Sequence, residues 1–170
     1  MRIIKKFPAN PNMVIFLLSQ QQTTKMSESF TSLQQAKLHH FAHYFFQING
    51  VRRVQITRYE IRIYKNRDLQ TWNVILPQIL QAIKNIFPQH TIVEYANEMS
   101  TDTTRTFSNN EEICGVYEGV EVAEQNTFAK LLFCVEGIER VIVRTKEIEV
   151  KRSIVFSGEE VWCKVSKIIK

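Results

Sequence analysis

Phe41-Ala-His-Tyr-Phe-Phe-Gln-Ile-Asn-Gly-Val-Arg-Arg-Val54 occurs twice in this chain. Its second version, 87 residues on, is Phe128-Ala-Lys-Leu-Leu-Phe-Cys-Val-Glu-Gly-Ile-Glu-Arg-Val141. Each version reads as the end of an apolar-faced helix, a glycine that stops it and the beginning of a strand. The match continues without a gap, because Glu60-Ile-Arg-Ile63 falls on Glu147-Ile-Glu-Val150 at the same offset. Eight of the 25 positions from 41–65 are identical in 128–152, and most other changes keep apolar with apolar. A period this long is that of a duplicated domain, not of a solenoid repeat.

Working outward, Leu38, Phe41, Ala42, Phe45 and Ile48 share the spacing of one helix face, which predicts a helix over about 34–48. Val54-Gln-Ile56 and Ile61-Arg-Ile63 alternate, and with Thr57-Arg-Tyr-Glu60 between them they predict a hairpin with an arginine-bearing outer face. Asp68 or Thr71 can cap a second helix, striped by Trp72, Ile75, Leu76, Ile79, Leu80, Ile83, Ile86 and Phe87, with Pro77 inside it to kink it or mark its first turn and Pro88 ending it. Upstream, Phe7-Pro-Ala-Asn-Pro-Asn12 rules out a helix and makes residues 3–12 an extended or turning lead-in, Met13–Leu18 is a short apolar run suited to a buried strand, and 19–35 lacks any period and predicts a loop. In the second half, Val141 and Val143 should face Ile148 and Val150, and Trp162, Val165 and Ile168 mark a final helix. The resulting expectation is an α+β fold of two tandem small domains, 1–90 and 91–170. Each would be a short, mostly antiparallel sheet with two helices packed on one face.

The net charge of +5 conceals an asymmetry. Residues 1–90 carry 12 Lys/Arg against 3 Asp/Glu, whereas 91–170 carry 10 against 14. Any acidic partner is therefore expected at the first half, and the two halves can also attract each other within a chain or between two copies. The longest apolar run, Met13–Leu18, is far short of the ~18 residues that a membrane helix needs. The sequence predicts a cytoplasmic protein with no membrane segment. Three cysteines, Cys114, Cys134 and Cys163, form no C-x-x-C pair and read as inert, at least partly buried thiols.

Taken together, Asn10-Pro-Asn12, Ile48-Asn-Gly-Val-Arg-Arg-Val54, Ile61-Arg-Ile63 and the Trp72–Phe87 helix resemble the N-terminal domain of NifU-like (Nfu) iron–sulfur scaffold proteins. The resemblance covers most of 3–88 and extends, in divergent form, over 126–169. At the offset of 87 the Asn-Pro-Asn position of the second half reads Asn97-Glu-Met99. The resemblance implies an accessory, partner-binding domain in iron–sulfur cluster assembly. In that family the cluster is held by a separate C-terminal domain through a C-x-x-C pair, and these 170 residues contain no such pair.

Arg52, Arg53, Arg58, Arg62, Lys65 and Arg67, interleaved with Tyr59 and Tyr64, are the candidate partner-binding residues. A basic face with aromatic residues suits an acidic protein. It also suits single-stranded nucleic acid, the alternative function, although charge runs are most often merely solvated and the second half places Glu139 and Glu149 at matching positions. His39 and His43, four apart on the expected helix beside His40, could present two imidazoles to a metal, but no carboxylate or thiolate lies within a turn of them. His90 reads as a surface residue. No phosphate-binding glycine loop, nucleophile motif or paired catalytic carboxylates stand out, so the expectation is a non-enzymatic protein without a cofactor.

Overall fold

The computed structural model describes residues 2–25, 27–67, 71–94, 102–108, 115–118, 120–124 and 126–169. It has two compact units. Unit 1 comprises Met1–Leu18, Ser27–Ile56 and Glu60–Tyr95; unit 2 comprises Ser19–Met26, Thr57–Tyr59 and Ala96–Lys170. No helix among the described residues is long and apolar enough to cross a membrane.

In unit 1 the strands are β1 (Arg2–Lys6), β2 (Met13–Leu18), β3 (Ser27–Phe30), β4 (Val51–Thr57), β5 (Glu60–Lys65) and β6 (Thr91–Glu94). They form one sheet in the order β3-β4-β5-β2-β1-β6, in which β6 runs parallel to β1 and β2 runs antiparallel to both β1 and β5. The apolar run of β2 is buried on both faces, as a continuous hydrophobic strand requires. Val54 and Ile56 of β4 and Ile61 and Ile63 of β5 alternate inward and are fully buried. Against them lie Phe41, Ala42 and Phe45 and the stripe Ile75, Ile79 and Ile83 of helix α3 (Trp72–Ile86), which continues through Pro77.

The expected helix over 34–48 is instead two single turns, α1 (Leu33–Ala36) and α2 (Ala42–Phe45). Side chains that hydrogen-bond the backbone cause the break. Ser32 Oγ accepts from Gln35 N, starting α1, and His39 Nδ1 accepts from Ala42 N at 3.2 Å, starting α2. Leu38, placed by the sequence in the apolar stripe, falls in the interruption and is 97% exposed. β1 and β3 were not expected; the sequence predicted a lead-in and a loop in their places.

Unit 2 contains β7 (Thr104–Ser108), β8 (Gly115–Tyr117), α4 (Val120–Ala123), α5 (Thr127–Phe133), β9 (Ile138–Val143), β10 (Glu147–Arg152) and α6 (Gly158–Ile168). Its antiparallel sheet has the order β7-β10-β9-β8. Leu132, Phe133, Val161, Trp162 and Val165 pack on Val141, Val143, Ile148 and Val150. Asp68, Cys114 and Asn97–Met99 lie outside the described residues.

The two hairpins have the same register. Val54 faces Ile63 and Ile56 faces Ile61 in unit 1; Val141 faces Val150 and Val143 faces Ile148 in unit 2. Both strand starts carry a bulge at the same place: Val51 faces Lys65 and Arg53 faces Tyr64, while Ile138 faces Arg152 and Arg140 faces Lys151. Gly50 (φ 99°) and Gly137 (φ 96°) precede those bulges in the left-handed region. The strand orders β3-β4-β5-β2 and β8-β9-β10-β7 also correspond, but the first strand shifts by four residues. Phe16 faces Ile61, and Phe107, 91 residues later, faces Ile148.

Candidate partner-binding site

The Asn10-Pro-Asn12 turn anchors one side of a concave site in unit 1. Asn10 Oδ1 accepts from Asn12 N (3.0 Å), the Asn10 carbonyl accepts from Met13 N (3.2 Å), and the Asn12 carbonyl accepts from Lys65 N (2.9 Å). The Pro11 carbonyl takes the indole N–H of Trp72 at 2.7 Å, tying the turn to the first residue of α3. In unit 2 the indole N–H of Trp162 donates to Asp102 Oδ2 at 3.2 Å, and Asp102 is the residue 91 places after Pro11. The four-residue shift of the first strand therefore extends to its preceding turn.

The bulge sets the opposite side. In a regular strand, successive residues point to opposite faces, so Arg52 and Arg53 could not serve one site. Because Arg52 is the extra residue of the bulge, both arginines line the same cavity of about 490 Å³, together with Lys65 and Arg67. Arg53 is fixed in place: its Nε donates to Ser29 Oγ at 2.9 Å and its guanidinium lies 5.2 Å from the Tyr64 ring centroid. Its two terminal nitrogens remain as a donor fork. Arg52 and Arg67 are exposed and Lys65 is half-buried. With no carboxylate among the described lining residues, these four like charges repel one another, an arrangement that an incoming anion would relieve.

Two of the six candidate residues lie elsewhere. Arg62 pairs with Glu60 at 2.6 Å. Arg58 is not on a solvated face: it is buried in unit 2, where it donates to the carbonyls of Phe133 (2.7 Å) and Ile138 (3.0 Å) and to Gln21 Oε1 (3.2 Å). Burial lowers its pKa from the ordinary arginine value. Beside it, Tyr59 accepts from Gly137 N at 2.9 Å and stacks edge-on against Phe156. Tyr59 was grouped with the basic surface by sequence; it is a core residue.

The histidines are engaged locally. His43 Nδ1 lies 3.0 Å from the His39 carbonyl, to which it donates, and His39 and His40 stack with ring centroids 4.6 Å apart. The single helix expected to carry the i, i+4 pair is interrupted between α1 and α2, with His39 in the break. Burial, followed by the charge of the amino terminus, lowers the pKa of His90, which is half-buried. Cys134 and Cys163 are both exposed, contrary to the expectation of partly buried thiols. Among the described residues no group of three or more His, Cys, Asp or Glu side chains is placed to hold a metal ion. With no C-x-x-C pair in the 170 residues either, no ligand set for an iron–sulfur cluster is at hand in the residues described. A wider groove of about 880 Å³ between α2 and α3 is lined by Phe41, Ile48, Pro77 and Ile86 together with His40, Tyr44 and several amide side chains.

A family model described as scaffold protein Nfu/NifU N terminal matches residues 5–90, which include the Asn-Pro-Asn turn, the three cavity arginines and α3. The crystal structure of protein SAV1430 from Staphylococcus aureus is 21% identical over 49% of this chain and 99% of that one, with a TM-score of 0.42. No curated protein matches the chain.

Proposed function

The chain belongs to the Nfu/NifU N-terminal scaffold family through residues 5–90, and from this membership we propose that it is a non-catalytic partner-binding protein of iron–sulfur cluster assembly. The observation that carries the docking role is the convergence of Arg52, Arg53, Lys65 and Arg67 on one cavity beside the Asn-Pro-Asn turn. Its described lining residues are charge and hydrogen-bonding groups suited to binding. We read unit 2 as a divergent second copy of the family domain. The shared register, the shared bulge and the Trp162–Asp102 bond support that reading. The cytoplasm is the compartment this function implies.

The test is genetic complementation. In cells lacking the gene, the activity of enzymes that depend on iron–sulfur clusters should fall, and the intact chain should restore it. Arg52→Glu combined with Arg67→Glu should fold with unchanged melting temperature and fail to restore it. Full rescue by that variant, or normal enzyme activities without the gene, would reject the proposal. Tight, salt-sensitive uptake of a labelled single-stranded oligonucleotide, abolished by the same double variant, would replace it with nucleic-acid binding.

A further inference from the structure

We infer that the cavity of unit 1 receives an extended, carboxylate-bearing segment of a protein partner, and that unit 2 carries the corresponding site already closed by its own ion pairs. The inference rests on the partner-binding proposal and adds the chemistry of the partner and the number of sites.

The chemistry follows from the lining. Arg53 offers a pinned fork that matches the two oxygens of a carboxylate, and Arg52, Lys65 and Arg67 supply further charge around it. The remaining polar groups are of a different kind. Asn12 can donate and accept, Ser29 keeps its hydroxyl proton while its oxygen takes Arg53 Nε, and Thr31, whose proton goes to Gln35 Oε1, can still accept, so the set offers both the donors and the acceptors that a peptide backbone requires. A phosphate presents acceptors and would use only the donors. The volume of about 490 Å³ lies within the range of ligand-binding clefts and is open enough for a few residues of chain.

Unit 2 shows what becomes of the site when its residues change. At the positions 87 residues on, Arg52 is replaced by Glu139, Tyr64 by Lys151, and these two pair at 3.3 Å. Thr31 is replaced by Glu118, which pairs with Arg140, the counterpart of Arg53, at 3.1 Å. Lys65 becomes Arg152, which is turned inward, 1% exposed, and donates to the carbonyls of Phe156 and Ser153. Arg67 becomes Ile154. All four cationic positions are thus replaced, paired or buried, although the hairpin register and bulge are unchanged.

Fluorescence anisotropy on the full chain tests this with a labelled octapeptide of alternating aspartate and alanine, an asparagine–alanine octapeptide as control, and pyrophosphate as competitor. The aspartate peptide should bind one per chain, weaken as salt rises, and lose affinity about three- to ten-fold in Arg52→Ala and in Arg67→Ala. Glu139→Arg combined with Glu118→Thr should raise the stoichiometry to two. Aspartate peptide binding that ignores Arg52→Ala, equal binding of the asparagine peptide, or binding of pyrophosphate alone would overturn the assignment of the ligand. Unchanged stoichiometry in the Glu139/Glu118 variant, at unchanged melting temperature, would overturn the closed site of unit 2. If the peptide fails while the Arg52/Arg67 double variant still fails to complement, only the partner's chemistry is wrong; if both fail, the docking role falls too.

Discussion

The guanidinium of Arg58 donates to the Phe133 carbonyl at 2.7 Å from a side chain that is 6% exposed. A second nitrogen reaches the Ile138 carbonyl, so one arginine satisfies the end of α5 and the start of β9. Helix ends leave carbonyls without intrahelical donors, and burying them unpaired is costly. Arg58→Met keeps much of the apolar stem and removes both donors. It should lower stability by about 2–4 kcal/mol, whereas Arg52→Ala should change it by no more than about 0.5 kcal/mol. Chemical denaturation of both variants checks this; equal midpoints would mean that Arg58 is only a surface charge.

The two positive-φ glycines should respond unequally to the same change. Gly50→Ala forces a Cβ into the left-handed region at a cost of about 1–2 kcal/mol. In Gly137→Ala the same strain is joined by a collision, because the new Cβ would lie 2.8 Å from Phe156 Cγ. Overpacking of this kind adds about 1–3 kcal/mol. Thermal unfolding should therefore rank Gly137→Ala well below Gly50→Ala, and the reverse order would contradict the packing around Phe156.

Tyr59 gives the fold an alkaline limit. Burial is the main cause of its raised pKa, so the folded protein holds the phenolic proton more tightly than the unfolded chain does. The contribution is complete below the ordinary phenol value and is lost as pH rises past it, because the unfolded chain then releases its proton first. Tyr59→Phe removes the acceptor for Gly137 N–H and should cost about 1–3 kcal/mol at neutral pH. The gap in melting temperature between wild type and Tyr59→Phe should narrow from about pH 8 to about pH 11; a constant gap would exclude Tyr59 as the titrating group.

The parts of this fold that were legible in the sequence are those fixed by periodicity and by glycine. The hairpin pairs Val54–Ile63 and Val141–Val150, the buried run of β2 and the stripe of α3 all follow from spacing. The break between α1 and α2 did not, since it depends on a histidine acting as a cap, a role that residue type seldom signals. β1 was obscured because Ile3 and Ile4 sit among basic residues and show no alternation. At the candidate site, the basic run was visible but its sorting was not. Arg52 and Arg53 share a cavity only because of a bulge, and Arg58 is withdrawn by carbonyls 75 and 80 residues away. One sign was available: Arg58 and Tyr59 occupy the turn of a hairpin whose second version reads Thr145-Lys146, so neither is needed by the turn itself.

The bulge at the start of β4 and β9 has a consequence for how such hairpins diverge. A residue held within the ladder is judged by its cross-strand neighbours, and reversing its charge disturbs the pairing. Residues 52 and 139 face no residue directly, because each is the unmatched residue of its strand, although Glu139 still reaches Lys151 of the neighbouring strand at 3.3 Å. The backbone ladder therefore accepts arginine at 52 and glutamate at 139 alike, and the charge is matched by the neighbouring strand, which offers Tyr64 in one hairpin and Lys151 in the other. Each hairpin keeps one adjustable position at its bulge, which in unit 1 lies at a charged hollow, where exchanging one residue can invert what the surface attracts while the architecture beneath it stays the same.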